Sequence, residues 1–369
     1  IIKGDMLEAQ QAKEEIDLSD KTAIYAADKK IAIAKNNQMA IKILLNSLYG
    51  AMGNKWFRYF DMRIAEGITL TGQATIKWAE KHLNEYLNKL METNDDYVVA
   101  IDTDSVYITL GELVNRVNPP NPVDFLDKVC GGKLEQVLID CYADLYSKLG
   151  GRANKMVMGR EVIANRGIWT AKKRYILNVH DNEGVRYAKP KLKVMGIEAI
   201  KSSTPAICRQ ALKDIFVTII DREESDVQDE IAAFKKIFKA ASPEEVSFPR
   251  GINEIAKWQD KKTLYKKGCP IHVRGAIMHN NFIKEKALGK KINDINGGDK
   301  VKFTYLRQPN PMKSNVISFI DYLPKQFQLE QYVDYNLQFE KTFMSVIEPI
   351  LDSIGYESEK VITLEDFFS

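Results

Sequence analysis

The apolar pattern of this sequence predicts an α+β fold, and three observations carry that expectation. Two N-terminal segments repeat apolar residues at helical spacing, residues 97–110 switch to two apolar runs around an acidic turn, and a strand-rich middle gives way after Ser203 to a mainly helical pattern.

From Asn36 to Tyr49 the residues Met39, Ile43, Leu44 and Leu48 recur at helical spacing, and a second helix is predicted from about Arg63 to Leu90. Residues 97–101 and 106–110 are apolar runs separated by Asp102, Thr103, Asp104 and Ser105, the pattern of a β-hairpin with carboxylates at its tip. After Pro119, Pro120 and Pro122, a helix is expected over about Val123–Leu149. Strand-like segments follow at Lys155–Ile163, Gly167–Val179 and Gly184–Val194. A domain change is placed near Gly196. The helical pattern beyond Ser203 is interrupted at Ser247–Arg274 by loops rich in Gly, Pro and Lys, and Glu357–Ser369 forms a polar tail ending in an apolar cluster.

The 369 residues are 45% hydrophobic and 28% charged, enough to bury cores in two or three units. No apolar run of membrane-spanning length occurs and the first residues carry no signal-peptide pattern, so no membrane partner and a cytoplasmic location are expected. Cys130, Cys141, Cys208 and Cys269 are widely spaced without a C-x-x-C pair, which argues against a zinc site or a disulfide framework. The net charge of +3 is unevenly spread: ten Lys and Arg fall between Lys257 and Lys291 against Asp260 and Glu285.

Two positions apart on extended backbone, Asp102 and Asp104 point the same way and can face one cation. Asp and Ser also simply make turns, so the motif has both readings. Hard cations such as Mg²⁺ prefer oxygen ligands and keep waters and substrate phosphates, which suits two aligned carboxylates to phosphoryl transfer. On the first helix Lys42, Asn46 and Tyr49 fall at i, i+4 and i+7 on one face. This is either a solvated lysine near a buried tyrosine or a triphosphate-binding face on which Gly50 allows close backbone approach.

Asn46-Ser47-Leu48-Tyr49-Gly50 resembles motif B, and Asp102-Thr103-Asp104-Ser105 resembles motif C, of the family B replicative DNA polymerases of T-even-like bacteriophages. Lys172-Lys173-Arg174-Tyr175 resembles that family's K-K-R-Y motif, whose lysine and tyrosine hold the primer terminus. Gly196 and Glu198, followed by Lys201–Pro205, resemble the segment that closes the palm. Glu161 resembles a third palm carboxylate and a metal ligand, or equally makes a structural ion pair with a neighbouring arginine. Pro270–Gly275, with His272 and Arg274, resembles a thumb element gripping the duplex, to which the basic patch with Lys266 and Lys267 adds phosphate contacts. Leu364, Phe367 and Phe368 resemble a C-terminal clamp-binding peptide, and Lys3 with Gly4 the end of the basic fingers helix.

The resemblance implies a right-hand architecture: partial fingers helices over 1–54, an antiparallel-sheet palm over 55–196, a mainly helical thumb over 197–356 and a clamp-binding tail over 357–369. It implies deoxynucleotide addition to a primer 3′-hydroxyl with two Mg²⁺ ions, held by Asp104 as main ligand and Asp102 as auxiliary. Lys42, Asn46 and Lys3 would bind the deoxynucleoside triphosphate, and Tyr49 with Gly50 would check the nascent pair. The implied partners are primer-template DNA and a sliding clamp. Motif A and a 3′→5′ exonuclease domain have no counterpart in these residues, and Ala100 and Ile101 stand where a Tyr and a Gly are usual. The expectation is therefore the C-terminal part of a polymerase, complemented by an N-terminal polymerase chain carrying the exonuclease and motif A. The alternative is a catalytically silent module that binds DNA and the clamp.

Overall fold

The first helix begins where Asp20 accepts hydrogen bonds from the backbone N–H groups of Thr22 and Ala23, at 3.1 and 2.9 Å. The structure, a computed structural model, describes residues 20–197 and 201–360. Lys3, Glu198, Leu364, Phe367 and Phe368 lie outside the described residues.

Helix α1 (Lys21–Met52) leads through a short aromatic link to α2 (Met62–Met91), which Asp61 caps through the N–H of Arg63. The hairpin follows as β1 (Val98–Asp102) and β2 (Ser105–Ile108), then α3 (Gly111–Val117), α4 (Pro122–Val129), a π-turn at Cys130–Leu134 and α5 (Glu135–Lys148). The chain divides into two compact units. The first comprises the residues up to Pro119 together with Val129–Met158, and the second Pro120–Lys128 together with the residues from Gly159 onward.

The core of the first unit follows from the 3–4 spacing of Ala79, Leu83, Leu87 and Met91, which puts one buried stripe along the C-terminal half of α2. That stripe packs with Tyr97 and Val98 at the start of β1, and with Leu134, Leu138, Cys141 and Tyr142 at α5. Burial among these side chains pushes the Cys141 thiol up to about 11.

In the second unit β3 (Val162–Ala171), β4 (Arg174–Asn182) and β5 (Val185–Met195) form an antiparallel sheet in the order β3-β4-β5. The central strand is buried from Tyr175 to Val179. Helices α6 (Ala206–Asp221), α7 (Glu224–Ala240) and α8 (Pro243–Val246) follow, then β6 (Phe248–Gly251), α9 (Ile255–Trp258), the short strands β7 (Gln259–Asp260) and β8 (Leu264–Tyr265), and α10 (Ile271–Glu285). Next come β9 (Lys300–Tyr305), β10 (Val316–Phe319), α11 (Tyr335–Phe339) and α12 (Ser345–Ile354). One core joins Ile176 of β4 to Phe216 of α6, Phe238 of α7, Phe343 and Ile347 of the C-terminal helices. Cys208 sits in it, and burial pushes its thiol up to about 12. A second core joins Phe282 of α10 to Ile317 and Phe319 of β10. Gly275 brings α10 close to that strand, because a Cβ there would sit 2.5 Å from the Ser318 hydroxyl and 2.8 Å from its backbone nitrogen.

The α+β class holds, with helices and small antiparallel sheets. Three local expectations change, the first at Lys155–Ile163, which is irregular up to Glu161 and enters β3 only with Val162 and Ile163. The apolar run Gly167–Val179 is not one strand: it reverses at Lys172–Lys173, where Lys173 has φ +64, and becomes the end of β3 and the start of β4. Beyond Ser203 the chain also builds a three-stranded sheet, β10-β9-β6. Its strands are four to six residues long and β10 is buried throughout, and a short apolar run of that kind carries no period that separates strand from helix.

Candidate active site

The acidic hairpin is positioned by the end of α2. Asn84 accepts from the Tyr97 N–H at 2.9 Å and donates to Asp96 at 2.8 Å, while Asn88 accepts from the Asp95 N–H at 2.8 Å and donates to the Asp95 carbonyl at 2.9 Å. Four hydrogen bonds from two amides one turn apart thus fix the entry into β1, with Val98 buried beneath them.

At the tip Asp102 pairs with Ser105, leaving Thr103 and Asp104 as a two-residue turn. Thr103 has φ +57 and the Asp104 N–H donates to the Asp102 carbonyl at 2.7 Å, which closes a three-residue γ-turn. A β-branched residue in the left-handed region is strained, and such strain persists where its surroundings enforce it. The extended-backbone argument for the two carboxylates therefore does not apply across Thr103. Asp102 ends the strand, half-buried, and its Oδ1 accepts from the Thr103 hydroxyl at 3.1 Å. Its carbonyl accepts from the Ser105 hydroxyl at 3.2 Å. Asp104 lies in the turn itself and is exposed.

Among the described residues no three His, Cys, Asp or Glu side chains come together in a way that could hold a metal ion. The hairpin offers two carboxylates, a donor set whose oxygen chemistry fits a hard cation that takes its other ligands from water, phosphates or another segment. Lys42, Asn46, Tyr49 and Gly50 all lie on α1 within the same unit and all are exposed, with open space around Gly50.

Glu161 is exposed, just before β3. The neighbouring Arg160 bonds Asp181 and Asp127 and donates to the Glu161 backbone carbonyl at 3.4 Å, and Arg186 reaches Asp181 at 3.1 Å and Asp124 at 2.9 Å. Burial works against the charge of Arg160, but the two aspartates outweigh it and hold the guanidinium above its ordinary value. Asp181 is only 1% exposed and also accepts from the Gly184 N–H at 3.0 Å. Sequence reasoning missed this network, whose buried aspartate stands near the end of a strand that already carries Asn178 and His180.

Lys172 and Lys173 form the exposed turn between β3 and β4, and Arg174 begins β4. Tyr175 pairs with Trp169 on one side and Met195 on the other and is 5% exposed, with its ring 6.0 Å from that of Trp169. It is a core residue beneath the turn rather than a surface one. Gly196 has φ +68 and lies against the Lys173 carbonyl so closely that a Cβ would sit 2.1 Å from that oxygen.

In the basic segment Lys267 is exposed, and Lys266 is exposed while donating to the Lys257 carbonyl at 2.7 Å. Arg274 donates to the Asn315 side chain at 2.9 Å and stacks over Tyr265 at 5.7 Å. His272 is half-buried with its carbonyl accepting from Ser318 at 2.7 Å; burial, then the charge of Arg250, holds its imidazole below the usual range.

The family profile described as DNA polymerase family B matches residues 11–116, a span that includes α1, α2 and the acidic hairpin. The chain is 34% identical over 364 residues to a DNA-directed DNA polymerase of Enterobacteria phage T4, covering 94% of this chain and 40% of that protein. It is likewise 34% identical over 365 residues to the DNA-directed DNA polymerase of Escherichia phage RB69, again 40% of that protein. DNA polymerase 1 of Pyrococcus abyssi is 24% identical over 358 residues. The chain thus spans about two fifths of the length of the phage relatives it matches.

Proposed function

On the premise that this chain belongs to DNA polymerase family B and stands with its T-even-like phage members, we propose that it performs the primer- and nucleotide-handling half of template-directed DNA synthesis. In this reading it works together with an N-terminal polymerase chain that carries the exonuclease and motif A. The observation that carries it is the hairpin tip, where a strained Thr103 separates an anchored Asp102 from an exposed Asp104.

Asp104 and Asp102 would hold Mg²⁺, which when bound supplies charge neutralisation on the transferred phosphoryl group. Glu161, exposed just before β3, would be a third palm carboxylate and metal ligand. Lys42 presents a point charge to phosphate oxygens from one face of α1, with Asn46 as a hydrogen-bonding partner one turn on. Lys3 adds a second positive charge for the triphosphate. Tyr49 and Gly50 meet the nascent base pair, the glycine leaving room for close approach. Lys172 and Lys173 contact the primer end, with Arg174 beside them and Tyr175 as the buried post that fixes their turn. Lys266, Lys267 and the rest of the basic segment grip the duplex through its phosphates, while His272 and Arg274 position that segment. The segments 1–54, 55–196 and 197–356 serve as partial fingers, palm and thumb, and Leu364, Phe367 and Phe368 engage a sliding clamp in the host cytoplasm. Positioning and preorganised charge supply most of the rate.

Primer extension with Mg²⁺, with and without the N-terminal polymerase chain, tests the proposal. Extension in the mixture that Asp104→Ala abolishes is the expected result. Duplex binding without extension under every pairing would instead establish a silent DNA-binding and clamp-binding module.

A further inference from the structure

Gly355, with φ +74, ends α12, and the Tyr356 N–H donates back to the Leu351 carbonyl at 3.0 Å while the Tyr356 side chain packs on the core of the second unit. Residues 357–360 that follow are polar and lie outside any helix or strand, yet side chains of α7 tie them down. Glu224 accepts from the Glu357 N–H at 2.6 Å, and Gln228 donates to the Glu357 carbonyl at 3.0 Å and to the Glu359 carbonyl at 3.5 Å. Gln228 also donates to Glu224 at 3.3 Å, which orients the pair. Lys235 bonds the Glu359 carboxylate at 3.1 Å, and Lys360 bonds Asp229 at 2.5 Å.

Glu224, Gln228 and Lys235 stand at i, i+4 and i+11, within about 40° of one another around the helix, so an acceptor, a donor and a cation share one stripe. The two ion pairs are exposed, and each alone contributes little. The backbone contacts add what the ion pairs lack. The N–H and the carbonyl of Glu357 are both answered by side chains one turn apart, which is the pairing a neighbouring strand would supply.

We propose that this stripe of α7 is a seat for residues 357–360 and that the seated segment works as an anchor. It moves the origin of the following chain from the end of α12 to Lys360, and so sets how strongly the tail couples the duplex-bound protein to a sliding clamp. The seat stands on the contacts above; its coupling role rests on the reading of Leu364, Phe367 and Phe368 as clamp-binding residues. Reach is what the anchor changes. Leu364 stands four residues beyond Lys360 and eight beyond Tyr356. The local concentration of a tethered group falls with about the 3/2 power of its linker length, so unseating the segment lowers it about threefold.

Charge exchange across the Lys235–Glu359 pair tests both roles in the whole chain. Lys235→Glu and Glu359→Lys should each raise amide exchange over residues 357–360 by about fivefold, and the double variant should restore the parent rate, which misfolding at either site does not produce. Gln228→Ala, which removes the bonds to both carbonyls, should raise exchange at least as much. On clamp-loaded primed duplex each single variant should dissociate about threefold faster than the parent, and the double variant at the parent rate. Affinity for the clamp alone in solution should stay unchanged, because linker length matters only when both ends are engaged. Parent-like exchange in Gln228→Ala and in both charge variants would overturn the seat. Unchanged or slower dissociation in the charge variants, or a loss that the double variant does not restore, would overturn the anchor. A Phe367→Ala, Phe368→Ala double variant separates the two readings: if it leaves the clamp-loaded duplex no faster than the parent, the clamp reading fails, while exchange over 357–360 still decides the seat.

Discussion

Replacing Gly196 with alanine tests the link between the β-sheet and the Lys172–Lys173 turn proposed to contact the primer. The new Cβ would meet the Lys173 carbonyl oxygen at 2.1 Å and the Arg174 Cγ at 3.2 Å, so the turn and the end of β5 must part by about 1 Å. The left-handed backbone at φ +68 adds about 1–2 kcal/mol for any residue with a Cβ, and the forced shift about 1–3 kcal/mol, a total of about 2–5 kcal/mol. Gly184→Ala is the matched control, since its φ of +89 is also left-handed but nothing lies within 4 Å. Urea unfolding followed by Trp169 fluorescence reads both. The mixed polymerase should also lose extension by about 100-fold in Gly196→Ala, because Lys172 and Lys173 are carried off their positions. If Gly196→Ala unfolds within about 0.5 kcal/mol of the Gly184→Ala protein, the close approach is not what holds the turn.

Asp104→Ala should abolish extension while leaving the urea midpoint within about 0.5 kcal/mol, since the side chain is exposed; a large loss of stability would make it a structural turn residue. Neutralising Lys267 should lower the slope of log affinity against log salt by about 0.9. Lys266→Gln should lower it less, because its ammonium is already bonded to the Lys257 carbonyl; equal slopes for the variants and the parent would take this segment off the duplex path. Burial holds the His279 imidazole below its usual value, against the hydrogen bond its Nε2 makes to the Asn293 carbonyl. The unfolded chain therefore takes up a proton near pH 6.5 that the folded chain refuses. His279 contributes fully above that pH, and its contribution falls as the solution is acidified toward the lowered folded value. The urea midpoint should drop between pH 7.5 and 5, and His279→Phe should shrink that drop, with His272 supplying a remainder of the same sign; an unchanged drop would refute the assignment.

What the sequence disclosed follows from how far each signal reaches. The long helices were legible because their apolar stripes repeat over many turns, and the acidic hairpin because charge interrupts two apolar runs cleanly. The turn at Lys172–Lys173 was not legible, since strand residues continue on both sides and its left-handed residue is a lysine rather than a glycine. The K-K-R-Y resemblance makes Tyr175 a primer contact but does not signal its burial, which comes from its register between Trp169 and Met195. Strand β6 meets β9 across more than forty residues of intervening chain, a pairing no local pattern encodes. Asp181 escaped for a related reason: its partners Arg160 and Arg186, and the Asp127 that shares both of them, come from three separate parts of the chain.

The chain enters its second unit at Pro120, returns to the first at Val129 and leaves it again at Met158. Much of what holds the acidic hairpin in place is therefore encoded after it, in Leu134, Leu138 and Tyr142. A gene break or expression boundary placed just behind the hairpin would strip α2 of its cover and leave the motif without a foundation.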